Sequence, residues 1–221
     1  LILDHSDRLY LSRYWHLEQD LLHSLRQRLG VWAPGVDTGL LQAGLLRLFP
    51  GQGHELDRQQ LAAALAVLRT FCVITGGPGT GKTRTVTAIL ALLLEQAKGR
   101  PLRLALAAPT GKAAARLSES IAVAREQLPL STELAAAITT QAMTLHRLLG
   151  FRPDRVEPRH GADHPLRLDV LVVDEVSMLD LLLFNTLLKA VDPAAHLLLV
   201  GDADQLPSVG AGNVLGDLIV S

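Results

Sequence analysis

One short stretch, CVITGGPGTGKTRTVTAILALLLE from Cys72 onward, constrains the fold more than any other part of this sequence. A short apolar run enters a turn with four glycines in six positions, and Lys82, Thr83 and a long apolar-periodic segment follow. A glycine-rich turn is conformationally costly and packs nothing, so its backbone must be shaped to contact something. Gly76, Gly81, Lys82 and Thr83 match G-x-x-x-x-G-K-[ST], which indicates a loop that binds phosphate.

The loop predicts a nucleotide site for ATP and Mg²⁺. Its glycines let backbone N–H groups surround phosphate oxygens at the positive end of the following helix. Lys82 is expected to reach the β- and γ-phosphates, and the Thr83 hydroxyl to ligate Mg²⁺. The predicted cofactor-binding residues of the loop are Gly76, Gly77, Pro78, Gly79, Thr80, Gly81, Lys82 and Thr83. An ordinary strand-to-helix turn is the alternative, and the motif alone does not separate kinases, GTPases and motor ATPases.

Apolar strands and helices alternate from the loop onward, which predicts an α/β fold with a parallel sheet covered on both faces by helices. The strands are predicted over 71–75, 102–107, 168–173 and 196–200, and the helices over 81–97, 111–126 and 178–190. Before them, Asp57 and Gln60 form a plausible capping box for a helix with Leu61, Leu65 and Leu68 on one face. Residues 1–50 read as a separate, mainly helical unit, with leucines at helical spacing: Leu17, Leu21, Leu22 and Leu25.

Two further stretches place polar side chains directly after predicted strands. In LDVLVVDEVSM, Asp174 is predicted to hold the Mg²⁺ shell and Glu175 to polarise a water for attack on the γ-phosphate. A base for water favours hydrolysis over a small-molecule kinase, whereas a solvated acidic pair that caps the next helix is the alternative. In LLLVGDADQLPSVGAG, Gln205 is predicted to register the γ-phosphate, with an ordinary surface-loop residue as the alternative.

The ordered set GGPGTGKT, APTGKAAARLSES, TLHRLLG, VVDEVSM and GDADQLPSVGAG resembles the motor of superfamily-1 DNA helicases. More narrowly, it resembles the RecD family, the alpha subunit of exodeoxyribonuclease V. The resemblance implies a RecA-like fold and an ATP-dependent DNA helicase that travels 5′ to 3′. It also implies that Gln59 contacts adenine, with Gln60 as a close rival.

The same resemblance implies DNA contacts by Thr110 and Lys112 in APTGKAAARL, and by Thr144 and His146 in TLHRLLG. A helix N-terminus that carries hydroxyl, amide and ammonium groups suits a phosphate backbone. Two plainer interpretations stay open. Thr110 can be a simple helix cap with Lys112 in solvent, and His146 can be a semi-buried histidine with its hydrogen bonds satisfied.

The family resemblance further implies an assembly and a division of the chain. The partners are single-stranded DNA and the beta and gamma subunits of exodeoxyribonuclease V, RecB and RecC, in double-strand break repair and recombination. Residues 1–50 are then the end of a subunit-contacting N-terminal domain and 51–221 the first motor domain. The second motor domain and its catalytic arginine lie outside this sequence, so the fragment is expected to bind ATP·Mg²⁺ and hydrolyse it poorly.

Composition sets outer limits on these interpretations. A formal charge of −1 and a pI near 6.8 exclude a strongly basic nucleic-acid coat protein, so any DNA contact must be local. The single cysteine forms no internal disulfide, and no apolar run reaches the roughly 18 residues of a membrane span. A bacterial cytoplasmic location is the resulting expectation. A stand-alone RecD-like helicase and a nucleotide-binding scaffold without turnover remain the alternatives to a complex subunit.

The sites also predict a strand order. Gln205 reaches a γ-phosphate held by Lys82 only if the strand over 196–200 lies beside the strand over 71–75. The resemblance to RecA-like motors implies the same adjacency, with 196–200 between 71–75 and 168–173 and all three strands parallel. Direct pairing of 71–75 with 168–173 would instead indicate a kinase-like or GTPase-like fold.

Overall fold

The fold is described from a computed structural model that covers residues 1–4, 7–50, 57–155, 157–202, 205 and 214–220. The strands are β1 (Ile2–Leu3), β2 (Leu9–Tyr10), β3 (Phe71–Thr75), β4 (Leu104–Ala108), β5 (Ala142–Thr144), β6 (Val170–Val173) and β7 (His196–Gly201). The α-helices are α1 (Ser12–Arg28), α2 (Thr38–Leu48), α3 (Arg58–Leu68), α4 (Lys82–Gln96), α5 (Gly111–Gln127), α6 (Thr132–Ala137), α7 (Leu145–Leu149), α8 (Leu181–Ala190) and α9 (Val214–Val220). Within these ranges, no helix is both long and apolar enough to cross a membrane.

The central sheet has five parallel strands in the order β3-β7-β6-β4-β5. The register sets Ile74 beside Val200, and Val173 beside Leu199. The predicted order is therefore confirmed, because β7 lies between the strand that leads into the glycine-rich loop and the strand that leads into Asp174. β1 and β2 form a separate antiparallel pair at the start of the chain.

Two apolar cores lie on the two faces of this sheet, as the continuous apolar strands predicted. Successive residues of a strand point to opposite faces, so Val170 and Val172 pack in one core, and Leu171 and Val173 in the other. The first core is completed by α2, α3, α4 and α5, and the second by α1, α7, α8 and α9. The predicted α/β architecture with helices on both faces is confirmed.

The structure corrects the face that α3 presents to the core. Leu61 and Leu65 remain 43% and 44% exposed, whereas Ala63, Ala66 and Val67 are fully buried. Small side chains let α3 approach α4 closely, and this close approach takes precedence over the burial of the larger leucines. The cap was read correctly in part, since the Asp57 carboxylate accepts hydrogen bonds from the backbone N–H groups of the first helical turn.

The predicted helix over 178–190 is in fact two elements. A 3₁₀ turn over Val176–Met178 is followed by α8, whose N-cap is Asp180. The Asp180 carboxylate accepts a hydrogen bond from the backbone N–H of Leu183 at 2.8 Å. The helix therefore begins after Asp180, because a capping carboxylate at that position satisfies the free N–H groups of the first turn. The observed strands β4 and β6 also begin two residues later than predicted.

The N-terminal helix α1 packs against α8 at the second core. Arg28 is 2% exposed, and its guanidinium donates hydrogen bonds to the carbonyl oxygens of Leu188 at 3.1 Å, Asp192 at 3.3 Å, and Val191. Burial lowers the pKa of Arg28. A domain boundary at residue 50 stays a prediction, and residues 51–56 lie outside the described part of the chain.

Candidate nucleotide site

The glycine-rich loop runs from the end of β3 to the start of α4, and its backbone needs glycine at two positions. Gly79 and Gly81 have φ of 75° and 81°, in the left-handed region that other residues rarely adopt. A Cβ added to Gly81 would also lie 2.6 Å from Nε2 of Gln59. The loop therefore packs closely against the Gln59 side chain of α3 as well as against its own residues.

The side chains of Lys82 and Gln59 both contact this loop. The Lys82 ammonium donates hydrogen bonds to the carbonyl oxygens of Gly77 at 2.9 Å and of Gly76. The Gln59 amide donates to the carbonyl oxygen of Thr80 at 2.9 Å. This contact places the Gln59 side chain at the nucleotide loop and so favours it over its rival for the adenine contact, although that role stays a prediction.

Asp174 and Glu175 follow β6 at the carboxyl edge of the sheet, as predicted. The backbone N–H of Asp174 donates to the carbonyl of Ala107 at 2.9 Å, and the N–H of Glu175 donates to Oδ1 of Asp174 at 2.9 Å. Glu175 has φ of 54°, a left-handed conformation that is uncommon for a residue with a side chain. Such backbone strain is characteristic of functional positions that the surrounding structure holds in place.

The electrostatic setting of the pair is unusual for carboxylates. Burial raises the pKa of Asp174, and the charge of Lys82 opposes that change. Burial and the neighbouring Asp174 charge raise the pKa of Glu175, which Asp202 also raises, whereas Lys82 and Arg116 lower it. The charge of Lys82 therefore favours the ionised form of both acids against the effect of burial.

These elements form one cleft of about 410 Å³. Its lining residues are Gly79, Thr80, Gly81, Lys82, Thr83, Arg84, Arg116, Leu117, Ser120, Asp174, Glu175, Gly201, Asp202 and Gln205. Gln205 accepts a hydrogen bond from the Ser177 hydroxyl at 3.4 Å. The structure thus brings together the predicted base, the predicted metal ligands Thr83 and Asp174, and the predicted γ-phosphate sensor. A hydroxyl and a carboxylate are oxygen ligands of the kind that Mg²⁺ takes beside phosphate oxygens.

The four predicted DNA contacts lie along the same edge of the sheet, beyond the cleft. Ala108 at the end of β4 pairs in register with Thr144 at the end of β5. Thr110 caps α5 and Thr144 caps α7, each by accepting a backbone hydrogen bond at 3.2 Å. The interpretation of Thr110 as a helix cap is thus confirmed. A contact between Thr110 and DNA stays a prediction.

Lys112 and His146 are both exposed, and the His146 ring lies 5.0 Å from the Phe151 ring, centroid to centroid. The interpretation of His146 as a semi-buried histidine is therefore wrong. An exposed histidine that rests on an aromatic ring is available to an external partner, but the contact with DNA is a prediction that the structure leaves untested.

The sequence motifs predict no role in the site for several residues that line the cleft: Arg84, Arg116, Leu117, Ser120 and Asp202. Arg116, Leu117 and Ser120 all belong to the first three turns of α5. The sequence places these three residues in a helix that starts at the C-terminal end of a strand, and therefore near the site. It does not show which face of that helix is turned toward the phosphate loop.

A second cavity, of about 440 Å³, lies at the amino edge of the sheet, where β4, β6 and β7 begin. Its best-defined polar group is Asp169, which accepts hydrogen bonds from the backbone N–H and the Nε of Arg103 at 2.8 and 2.9 Å. Arg100 lies 3.6 Å from the same carboxylate. The Arg103 hydrogen bond is the main cause that lowers the pKa of Asp169 to about 2.

The sequence of this chain is similar to a known protein family and to several known proteins. A family model described as an AAA domain matches residues 59–211. The RecBCD enzyme subunit RecD of Mycolicibacterium smegmatis is 49% identical over 96% of this chain and 38% of its own length, and that of Haemophilus influenzae is 42% identical over 95% and 33%. The ATP-dependent RecD2 DNA helicase of Deinococcus radiodurans is 45% identical over 63% of this chain and 16% of its own length. The chain spans about a third of the length of the RecD relatives.

Proposed function

The chain belongs to the AAA-domain family, and from that premise we propose that it is the ATP-binding part of the motor of a RecD-type DNA helicase subunit. The observation that carries the proposal is the cleft at the carboxyl edge, where Lys82, Asp174, Glu175 and Gln205 converge. A phosphate loop alone is compatible with many reactions. Glu175 as a carboxylate base supports hydrolysis of ATP. The neutral amide of Gln205 beside it supports a loop that senses the presence of the γ-phosphate.

In the proposed reaction, the loop and Lys82 hold the β- and γ-phosphates and Gln59 contacts the adenine. Thr83 and Asp174 would hold Mg²⁺, which supplies charge neutralisation at the phosphate oxygens when bound. Glu175 orients a water molecule and accepts its proton as that water attacks the γ-phosphate. The amide of Gln205 senses whether the γ-phosphate is present, without neutralising the charge of Lys82.

Coupling to DNA is supported by the arrangement of the carboxyl edge. Strands β3, β7 and β6 end in the nucleotide cleft, and the next strands, β4 and β5, end beside Thr110 and Thr144. Because the two sets are joined through one continuous sheet, Glu175 after β6 is one strand away from the turn that carries Thr110, and Gln205 after β7 is two strands away from it. Single-stranded DNA is therefore the proposed track.

The similarity to RecD over nearly the whole chain supports a subunit of a RecBCD-type exonuclease V complex, with RecB and RecC as partners, in the bacterial cytoplasm. Translocation from 5′ to 3′ is part of the same proposal. A stand-alone helicase is the second candidate, because one relative is the RecD2 helicase. A scaffold without turnover is disfavoured by the convergence of Lys82, Asp174 and Glu175 in one cleft.

The decisive experiment measures ATP hydrolysis and unwinding by the full-length protein, alone and with its candidate partner subunits. We expect hydrolysis to be stimulated by single-stranded DNA, and substrates with a 5′ overhang to be unwound in preference to those with a 3′ overhang. Co-purification with the beta and gamma subunits supports the complex, and full unwinding without them supports the stand-alone helicase. ATP binding without hydrolysis, in every combination tested, would leave the scaffold as the function.

A further inference from the structure

Part of the wall of the nucleotide cleft is formed by α5. Leu117 is buried in the same apolar core as Val86 and Ile89 of α4, which fixes the second turn of α5 against the helix that begins with Lys82. Arg116 and Ser120, one turn apart, line the cleft beside it. Helical side chains lean toward the N-terminus of their helix, and that end of α5 lies at the carboxyl edge of the sheet. The Arg116 guanidinium is therefore directed along the cleft and not away from it.

The cleft holds three described cations, and two of them have other contacts. Lys82 lies on the carbonyl oxygens of the loop. Arg84 donates a hydrogen bond to the carbonyl oxygen of Leu48 at 3.1 Å and lies 5.8 Å from the Phe49 ring, so it is tied to the end of α2. Arg116 is exposed on the cleft wall, and its charge acts on Glu175. Among these three described cations, Arg116 therefore combines a place in the cleft lining with an exposed side chain and an electrostatic effect on Glu175.

The proposed chemistry requires a cation at that place. Glu175 must remain a carboxylate while a multiply charged γ-phosphate lies within reach of the same water, and two such anions repel each other strongly in a partly buried cleft. The planar guanidinium of arginine is suited to bind one phosphate oxygen while it faces a carboxylate. We propose that Arg116 contacts the γ-phosphate of bound ATP and separates it electrostatically from Glu175, as an arginine supplied by the same domain. This inference rests on the proposed nucleotide site.

The test compares Arg116→Gln, Arg116→Lys and a control, Arg26→Gln, in the full-length protein. Arg26 is an exposed helical arginine on α1 outside the cleft. The readouts are the dissociation constants of a non-hydrolysable fluorescent ATP analogue and of fluorescent ADP, both without DNA, and the kcat and KM of DNA-stimulated hydrolysis. Circular dichroism and thermal melting of each variant verify that it is folded.

We expect Arg116→Gln to weaken the ATP analogue by roughly tenfold or more and ADP by less than about twofold, because only the analogue carries the γ-phosphate. We expect kcat to fall by roughly 10²-fold. Arg116→Lys should recover part of both losses, and Arg26→Gln should match the unaltered protein.

Equal losses for the analogue and ADP, or no loss for either, would overturn the inference. It would also be overturned if Arg116→Gln weakened binding of single-stranded DNA in the absence of nucleotide while the preference for the ATP analogue over ADP was unchanged, since Arg116 would then be a DNA contact. Retained nucleotide binding in Lys82→Ala identifies a failure of the nucleotide site itself. That result is distinguishable from a failure confined to Arg116.

Discussion

The sheet carries two cavities of nearly equal volume, one at each edge, and they differ in how their charges are arranged. At the amino edge, Asp169 is paired with Arg103 and Arg100, and its pKa is lowered to about 2. At the carboxyl edge, Asp174 and Glu175 lie side by side, and burial raises the pKa of both. The amino-edge cavity is slightly the larger, at about 440 Å³ against about 410 Å³. Size therefore does not distinguish the two cavities, whereas the direction of the pKa shifts does, and raised carboxylate pKa values are typical of functional sites.

Positive φ alone does not separate the two edges, because Gly35 in the lining of the amino-edge cavity also has a φ of 69°. Glu175, Gly79 and Gly81 all have positive φ at the carboxyl edge. Of these three residues, Glu175 carries a side chain, so its conformation costs free energy that the surrounding structure must offset. We infer that charged groups with a structural role pair with one another, whereas charged groups with a catalytic role complete their interactions when a ligand binds. The following predictions test that distinction in order of expected effect.

The largest effect is expected from Lys82→Ala at the carboxyl edge. Lys82 supplies charge to phosphate and contributes little packing, so ATP-dependent unwinding by the full-length protein should fall by roughly 10³-fold or to nothing, with the fold intact. Unwinding rates and circular dichroism measure the two properties. Unwinding at the unaltered rate would remove the assignment of the phosphate loop and, with it, the functional half of the comparison.

Glu175→Gln is expected to have the next largest effect. The amide keeps the shape of the side chain but cannot accept the proton of the attacking water, so turnover should fall by roughly 10²-fold or more. ATP affinity should stay within a few-fold, which equilibrium binding of a fluorescent analogue measures. Loss of ATP binding in this variant would instead make Glu175 structural or a metal ligand.

A smaller effect is expected from Gln59→Ala, with Gln60→Ala as its matched control. The Gln59 amide is bonded to Thr80 on the loop, so its removal should weaken ATP binding by roughly tenfold, as for the loss of a well-placed hydrogen bond. Gln60→Ala should change the affinity by less than about twofold. The reverse result, measured by the same titration, would move the adenine contact to Gln60.

The smallest effect is expected from Asp169→Asn at the amino edge, and it concerns stability instead of activity. Loss of the ion pairs with Arg103 and Arg100 should lower the free energy of unfolding at neutral pH by about 1 kcal/mol or less, since solvent screens the two exposed arginines. ATP hydrolysis should stay within about twofold of the unaltered rate. A large loss of hydrolysis would show that the amino edge takes part in function.

The pH dependence of that same difference follows from the lowered pKa of Asp169. A carboxylate whose folded pKa lies below its ordinary value near 3.9 stabilises the fold fully above that value, and loses the contribution as pH falls toward about 2. Urea unfolding should therefore show a constant difference between Asp169→Asn and the unaltered protein from about pH 5 to 8, and a shrinking one below about pH 4. A difference that persists unchanged down to about pH 3 would contradict the ion-pair account.

The cleft and the adjacency of β7 and β3 were predictable because the chemistry required them, whereas the place of β7 between β3 and β6 was implied by the family resemblance. Polar side chains that follow separate apolar strands, such as Asp174 and Gln205, meet only if those strands are parallel and close together. The loop from Gly76 to Thr83 fixes which strand comes first. These arguments use residue types and positions along the chain, which the sequence states directly.

The remaining features depend on contacts between distant segments. β5 is only three residues long, and its sequence was read as part of a DNA-facing motif. The helix α2 was missed, although Asp37 is a capping residue and Leu41 and Leu48 are helically spaced. The pairing of Asp169 with Arg103 joins residues far apart in the chain. The place of Arg116 in the cleft depends on the rotation of α5, which is set by packing against α4.

The hydrogen bonds of the Arg28 guanidinium indicate which N-terminal truncations of this chain would destabilise its fold. Arg28 donates hydrogen bonds to three carbonyl oxygens at and just after the C-terminal end of α8, where the last turn of a helix leaves carbonyl groups without partners inside the helix. The turn that follows α8 leads into β7, and β7 ends at Gly201 in the nucleotide cleft. A truncation that starts at the phosphate loop removes these hydrogen bonds, and it also removes Leu21 and Leu25 of α1 from the second core. The ATP-binding portion is therefore not a detachable module, and limited proteolysis that removes α1 should also loosen the strand that carries the γ-phosphate sensor.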